Sequence, residues 1–298
     1  MSRSAWTRGL FGLAATGSAA LAWATLWERQ WFALRHTTVP ALGSAPGMLR
    51  VLHLSDLHLL PGQDRKVAFV RSCLEAAPDL VVLTGDVLGH PDVIDDAAAA
   101  LTLPAGVPGL LVLGSNDFFG PTFKNPLRYF SGPSRVNRGR RLDTGALVRG
   151  LQGAGWTLMD NRREPVTTPA GVVDAAGLGD PHMRRDRAAA VDWSKPEEDI
   201  ALRLGLVHAP YLRALDRFDR SGFDLVLAGH THGGQVRVPW LGPLVVNCDL
   251  PLSQARGLSR HGVGLWLHVS AGLGHSRFAP LRFACRPEAT MLDVVAAA

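Results

Sequence analysis

The sequence predicts an α/β fold in which a parallel sheet with crossover helices is followed by a second, partly antiparallel sheet. Two observations carry that expectation. Short apolar, β-branched runs alternate with helix-spaced segments from Leu49 to about Leu113, the rhythm of strand, crossover helix and parallel strand. Past Gly155, strand-like runs follow one another across short turns, which favours antiparallel pairing.

The elements follow in order. Residues 10–27, "LFGLAATGSAALAWATLW", carry no charge, and Arg3 and Arg8 precede them. About 18 apolar residues is the short end of a membrane-spanning helix. Trp23, Trp27 and Trp31 crowd one end, where amphipathic rings favour a membrane interface. A single-pass anchor is the expected reading of residues 1–35. A cleaved signal (Ala22 and Ala24 form an Ala-x-Ala) and a helix packed on the domain are the alternatives. Arg29 and Arg35 balance Arg3 and Arg8, so the side of the membrane is not assigned. Residues 36–48, with Pro40, Gly43, Pro46 and Gly47, read as a linker, and residues 49–298 as the folded domain.

In that domain "LRVLHL" (49–54) reads as a strand and residues 64–77 as a helix. "PDLVVLTGD" is a second strand, residues 92–101 a helix, and "PGLLVLGSND" a third strand. Residues 118–142, rich in Pro, Gly, Arg and aromatics, interrupt the rhythm as a long functional loop. Asp143 then caps a helix through Leu151. "WTLMD", "EPVTT", "GVVDAAGL" and "IALRLGLVH" read as strands, "YLRALDRF" as a helix, and "FDLVLAGHTHGGQVRVP" as strand, turn and strand. "VGLWLHVSAGLG" and "RFACRPEATMLDVV" read as further strands closing the second sheet.

Composition narrows the class. With 298 residues, 47% hydrophobic and 19% charged, the chain is globular, and roughly 150 residues per domain allows one or two domains. A net charge of +5 and a pI near 9.6 favour anionic partners such as phosphates or acidic membranes. No RNP-like motif, zinc-finger spacing or lysine-rich tail is present, which disfavours nucleic acid. Cys73, Cys248 and Cys285 are dispersed without a CxxC pair and read as buried thiols, with one disulfide left open.

One event recurs: an apolar strand ends and metal-type ligands appear. Asp56 and His58 stand two apart in "HLSDLHLL", which places them on one side of an extended segment. Asp86 follows Gly85 in "LTGDVLG", and "VLGSNDFFG" offers Ser115, Asn116 and Asp117. His208 ends "LGLVH", and His230 and His232 alternate in "LAGHTHGGQ". Asp117 could be a ligand, a loop-fixing acceptor or a proton donor. Oxygen and imidazole ligands without thiolates disfavour soft metals, and seven of them suit two ions.

This ordered set, "DLH", "GD", "GSND", a strand-end His and "GHTH", resembles the calcineurin-like metallophosphoesterase family. "GHTHGGQ" and the hydrophobic N-terminus look most like the membrane-associated branch that includes UDP-2,3-diacylglucosamine pyrophosphatase-like enzymes. The resemblance implies a four-layer sandwich, two mixed sheets face to face with flanking helices, plus the hydrophobic N-terminal helix. It also implies two divalent metals (Mn, Fe or Zn). Asp56, His58 and His232 would hold one, and Asn116, His208 and His230 the other, with Asp86 bridging. A metal-bound hydroxide would then hydrolyse a phosphoester or pyrophosphate without a covalent intermediate, on a phosphorylated small-molecule or lipid-linked substrate near a membrane.

The chain departs from the family at one place. The usual pattern there is Gly-Asn-His-Asp/Glu, and this loop has no histidine. Aligned column by column, Ser115 replaces the ligand Asn; shifted by one, Asn116 is the ligand and Asp117 stands where the acid His would be. Asp117 is the candidate catalytic residue on that alignment. Lys124 and Arg128, within a basic loop, are candidate phosphate-binding residues. The rival reading is a non-catalytic, membrane-tethered metal-binding module. A metallo-β-lactamase-like site is disfavoured, because "HTHGGQ" lacks the trailing Asp-His.

Overall fold

Apolar runs with strand period organise almost everything beyond the N-terminus. The computed structural model describes residues 3–43, 47–122, 139–196, 199–275 and 277–296. The chain opens with helix α1 (Arg3–Ala22) and continues through a wide π-helical turn, Trp23–Trp27, and a tight 3₁₀ turn, Glu28–Gln30. Although 20 residues long, α1 takes in Arg3, Arg8 and a scatter of Ser, Thr and Gly. Among the described residues no helix is long and apolar enough to cross a membrane, so the expected spanning anchor finds no support in helix length and apolarity. Packing on the domain does not describe it either: Phe11 is 78% and Leu21 58% exposed. Contact with the body begins at buried Ala24 and Glu28.

The first sheet contains β1 (Ala33–Leu42), β2 (Met48–Leu54), β3 (Leu80–Leu83), β4 (Gly109–Leu111), β5 (Trp156–Leu158) and β14 (Glu288–Ala296), in the order β1-β14-β2-β3-β4-β5. From β2 to β5 all pairings are parallel, and β14 runs antiparallel to β2. Two expectations are corrected here. Residues 36–42 of the expected linker lie, with residues 33–35, in the edge strand β1, parallel to β14. Pro40 had suggested a break, but a missing N–H is tolerated at a sheet edge. β1 thus extends the first sheet upstream of Leu49. And β14, expected in the second sheet, threads into the first between β1 and β2.

The second sheet contains β6 (Arg162–Thr168), β7 (Gly171–Leu178), β8 (Leu202–Val207), β9 (Leu225–Ala228), β12 (Gly257–His261) and β13 (Leu265–Val269), ordered β12-β13-β9-β8-β7-β6. Its centre is parallel and its two outer pairings are antiparallel. β10 (Arg237–Val238) and β11 (Gly242–Pro243) form a separate ribbon.

Alternation along the strands builds the layers. Leu49 and Val51 of β2 and Leu80 and Val82 of β3 meet Val173, Leu204, Leu206 and Leu227 of the second sheet in a central core. Their neighbours Leu52, Leu54, Val81 and Leu83 point outward to helices α2 (Asp64–Leu74), α3 (Ile94–Ala100) and α4 (Thr144–Gly153). On the far side α5 (Leu212–Arg220) packs Ala214, Leu215 and Phe218 onto Ala176, Val207 and Val226. Strands buried on both faces are apolar throughout rather than alternating, and the result is the expected helix–sheet–sheet–helix sandwich. Asp143 caps α4, accepting from the Ala146 N–H at 2.8 Å. The long loop closes on itself where the Gly120 N–H donates to the Arg140 carbonyl at 2.8 Å. Lys124 and Arg128 lie outside the described residues.

Candidate metal centre

Parallel strands end together, so the loops after β2, β3 and β4 in one sheet and after β8 and β9 in the other meet along one edge of the sandwich. Asp56 and His58 follow β2, Asp86 follows β3, Asn116 follows β4, His208 follows β8, and His230 and His232 follow β9. The strand-end rule brings all seven to one place.

The local backbone differs from the extended segments expected. Asp56, His58, Asp86, His230 and His232 have φ values of 49°, 42°, 53°, 68° and 50°. Asp and His tolerate this left-handed region better than most residues, yet each such position costs on the order of 1–3 kcal/mol. Asp56 and His58 reach the same point by turning, not by strand alternation. Glycine makes the turns fit. A Cβ on Gly114 would lie 2.3 Å from Asp86 Oδ1 and 2.7 Å from His208 Cε1, and one on Gly229 would lie 2.4 Å from Asp56 Oδ2.

Two clusters of ligand atoms result, each within 4.8 Å: Asp56, His58 and His232, and Asp56, Asp86 and His208. His58 Nε2 and His232 Nε2 face each other at 3.2 Å. Asp86 Oδ2 lies 3.5 Å from both His58 Nε2 and His208 Nε2, between the clusters. Asn116 reaches the same oxygen, its Nδ2 donating at 2.6 Å while its backbone N–H donates to Oδ1 at 2.8 Å. A half-turn of that amide would present its oxygen instead. His230 stands beside His208, ring centroids 5.2 Å apart, outside the two tight clusters.

The donor set fits divalent cations. His208 Nδ1–H donates to the Thr84 carbonyl at 2.6 Å, which fixes the tautomer. Its Nε2 is then left buried without a hydrogen-bond partner, directed at Asp86. Burial holds His58 down at about 4 and His230 and His232 well below the ordinary imidazole value, so all three are neutral lone-pair donors. Burial, with Asp86 nearby, pushes Asp56 up to about 6. Burial works against ionising Asp86, but His208, His58 and the Asn116 donors outweigh it and hold Asp86 at about 2. Against its burial, the carboxylates of Asp86, Asp180 and Asp56 push His208 up to about 9, so it holds a proton that a cation would displace. With the three neutral imidazoles and the buried carboxylates aimed at common points, the set is one that a pair of hard or borderline cations completes.

Asp117 is corrected. Its fully buried carboxylate accepts four backbone N–H groups, from Asp86 (2.9 Å), Val87 (2.7 Å), Leu88 (3.2 Å) and Gly114 (2.9 Å). Burial and the Asp86 charge push it up to about 7. Sealed in and surrounded by donors, it ties the β3 loop to the β4 loop and presents nothing to a leaving group. It is the loop-fixing acceptor.

Sequence reasoning passed over several residues. Asp180 and His182 follow β7, a sixth strand end that the same rule would have found in "GLGDPH". The His182 ring packs 4.8 Å from that of His230, and its Nδ1 lies 3.0 Å from the Tyr211 hydroxyl. A buried chain runs behind Asp56: Ser55 Oγ donates to Asp56 Oδ2 at 2.5 Å and receives from Thr84 Oγ1 at 2.7 Å. Thr84 in turn lies 2.9 Å from His53, and His53 2.9 Å from His268 across the sheets. Arg282, fully buried, binds the carbonyls of Ala271, Gly272, Gly274 and Cys285 and reaches His232 Nδ1 at 3.4 Å. No local pattern marks such partners, because they come from distant loops.

The chain is similar in sequence to several known proteins. The chain is 28% identical over 278 residues to "Phosphodiesterase YaeI" of Escherichia coli, covering 90% of each chain. It is 25% identical over 310 residues to the metallophosphoesterase YkuE of Bacillus subtilis, covering 99% and 98%. It is 26% identical over 269 residues to "Transmembrane protein with metallophosphoesterase domain" of Bos taurus, covering 88% of this chain and 55% of that one. The calcineurin-like phosphoesterase family matches residues 49–234. With that match and an Asp/His centre able to hold metal, the chain belongs to the calcineurin-like phosphoesterase family and is a metal-dependent phosphoester hydrolase.

Proposed function

We propose that Asp56, His58 and His232 hold one divalent metal and Asn116, His208 and His230 the other, with Asp86 between them. The observation that carries this is Asp86 Oδ2, equidistant at 3.5 Å from an imidazole of each half. Asn116 rather than Ser115 is the loop ligand, because its amide already reaches Asp86. Bound there, the pair supplies Lewis acidity toward the phosphoryl oxygens and toward an attacking water.

The chain's own residues do the rest. Asp117 and Gly114 fix the loop carrying Asn116. The Ser55–Thr84–His53 chain orients Asp56, and Arg282 steadies His232. With no histidine in the β4 loop, help to the leaving group falls to His182, the additional imidazole against His230. Proton donation by a well-placed acid is typically worth about 10²–10⁴ in rate. Its displacement from the usual loop favours substrates with good leaving groups, activated phosphodiesters or pyrophosphates. The name of the Escherichia coli relative supports a diester. The basic loop with Lys124 and Arg128 would hold substrate phosphate. The exposed apolar N-terminus and the transmembrane name of the bovine relative support a membrane-associated or otherwise anionic substrate.

The test is metal-resolved turnover. The full chain, stripped with chelator, regains hydrolysis of bis-p-nitrophenyl phosphate as Mn²⁺, Fe²⁺ or Zn²⁺ is added, saturating at two equivalents. If two equivalents bind and neither a phosphoester nor a pyrophosphate is hydrolysed, the rival metal-binding module is correct.

A further inference from the structure

The strand hairpin that follows His232 carries an apolar tip that stands exposed among the described residues. β10 and β11 are joined by Pro239, Trp240 and Leu241; Trp240 is 104% and Leu241 76% exposed, Val238 and Leu244 are 39% and 40% exposed, and Leu252 is 49% exposed. Residues this apolar are seldom clustered at a solvent-facing tip unless something covers them.

A second apolar element is fastened to the same segment of chain. The Phe283 N–H donates to the Gln235 carbonyl at 3.1 Å, and the Arg237 N–H to the Phe283 carbonyl at 2.9 Å. One residue on, the N–H groups of Ala284 and Cys285 donate to the Glu28 carboxylate at 3.0 and 2.6 Å. Glu28 also accepts from Trp23 Nε1 at 2.9 Å. Trp23 packs against Trp27 and Trp31, and Arg286 covers the Trp31 ring at 3.7 Å. Residues 282–286 therefore hold the tryptophan turn on one side and the hairpin on the other. An open groove of about 450 Å³ is lined by the hairpin, Leu252 and Ala284.

Charge identifies the occupant. In residues 23–31, 235–244 and 277–286 the only acid is Glu28, 3% exposed; the segment of Leu252 that completes the groove adds Asp249, whose carboxylate accepts from the Leu212 N–H at 2.9 Å. Arg29, Arg237, Arg277 and Arg286 are solvent-accessible to some degree. Tryptophan and leucine at the tip with arginines around the rim match a bilayer interface with anionic headgroups. A protein groove would be expected to offer acidic partners as well as apolar ones.

We propose that the β10–β11 tip, together with the Trp23–Trp31 turn, inserts into the headgroup region of an anionic phospholipid bilayer. This makes a second membrane contact beside the metal centre, because Cys285 Sγ and Arg282 of the same segment bind His232. The inference rests on the membrane association proposed above and adds a surface to it. Such docking would present the centre to phosphate groups at the bilayer surface.

The three native cysteines are buried, so Trp240→Cys in the full chain takes an environment-sensitive fluorophore selectively. Val263→Cys, 101% exposed on the β12–β13 turn, is the control. Vesicles of phosphatidylcholine with phosphatidylglycerol are added, and three readings are taken. Co-sedimentation reports membrane association, fluorescence reports the tip, and bis-p-nitrophenyl phosphate turnover reports the phosphoesterase reading. The expected result is a blue shift and several-fold brightening at position 240 and none at 263. Trp240→Ser with Leu241→Ser should weaken sedimentation at least several-fold while soluble turnover stays unchanged. Sedimentation without any change at position 240 overturns the tip contact and leaves membrane association standing. Equal changes at 240 and 263 also overturn it, and absence of sedimentation overturns both. Loss of turnover in the unlabelled wild type sinks the phosphoesterase reading separately.

Discussion

At the residue scale the centre depends on where single oxygens and lone pairs point. Asp86→Asn keeps the shape and removes the charge shared by both halves. Metal analysis should show fewer than two equivalents bound. Turnover should fall by more than the roughly 10–100-fold that follows loss of an outer hydrogen-bond partner. Gly114→Ala needs no change in any ligand to do similar damage, because its Cβ would lie 2.3 Å from Asp86 Oδ1. His182→Ala makes a finer prediction. If His182 serves the leaving group, its loss should slow esters of poor leaving groups by about 10²-fold or more and p-nitrophenyl esters much less. Equal slowing of both would show that His182 only positions His230. Asp117 illustrates why identity alone did not decide a role: its sequence position suits an acid, and its four backbone donors make it a brace.

At the element scale, β1 and the pair of sheets make their own predictions. Val39 and Leu42 of β1 are buried, and Arg35 pairs with Glu288 of β14. Burying two such side chains contributes about 3–6 kcal/mol. Deleting residues 1–47 should therefore lower the melting temperature sharply, whereas deleting residues 1–22 should leave it nearly unchanged. Equal melting of the two would contradict β1 as an integral strand. The two sheets are also joined by the buried His53–His268 contact, a bond in which one ring donates and the other accepts. Burial holds both rings below their ordinary value, His268 at about 4. The folded form thus binds fewer protons than the unfolded chain, so stability from this pair is present above about 6.5 and lost as pH falls toward 4. Thermal melting from pH 7 to 4 should show that fall, and His268→Gln should flatten it.

At the scale of the whole molecule, two sheets that each supply strand ends to one edge make metal binding and folding stability inseparable. Metal that binds only the folded state at 100 times its dissociation constant adds about 2.7 kcal/mol. Chelation should therefore lower the melting temperature by roughly 5 °C, and differential scanning calorimetry would detect this. The sequence by itself determined the short apolar strand runs, the helices between them and the ligand-type residue at each strand end. Those features are local, written in residue spacing and glycine placement; the four-layer sandwich and the two-metal ligand set were what the family resemblance carried by those motifs implied. Only the tertiary structure decided that Pro40 lies in an edge strand, that β14 joins the first sheet, and that Asp117 braces two loops. It also brought His182, Arg282 and the His53–His268 chain to the centre. Each of those depends on contacts between segments far apart in the chain, and spacing along one segment carries no record of what another segment will place beside it.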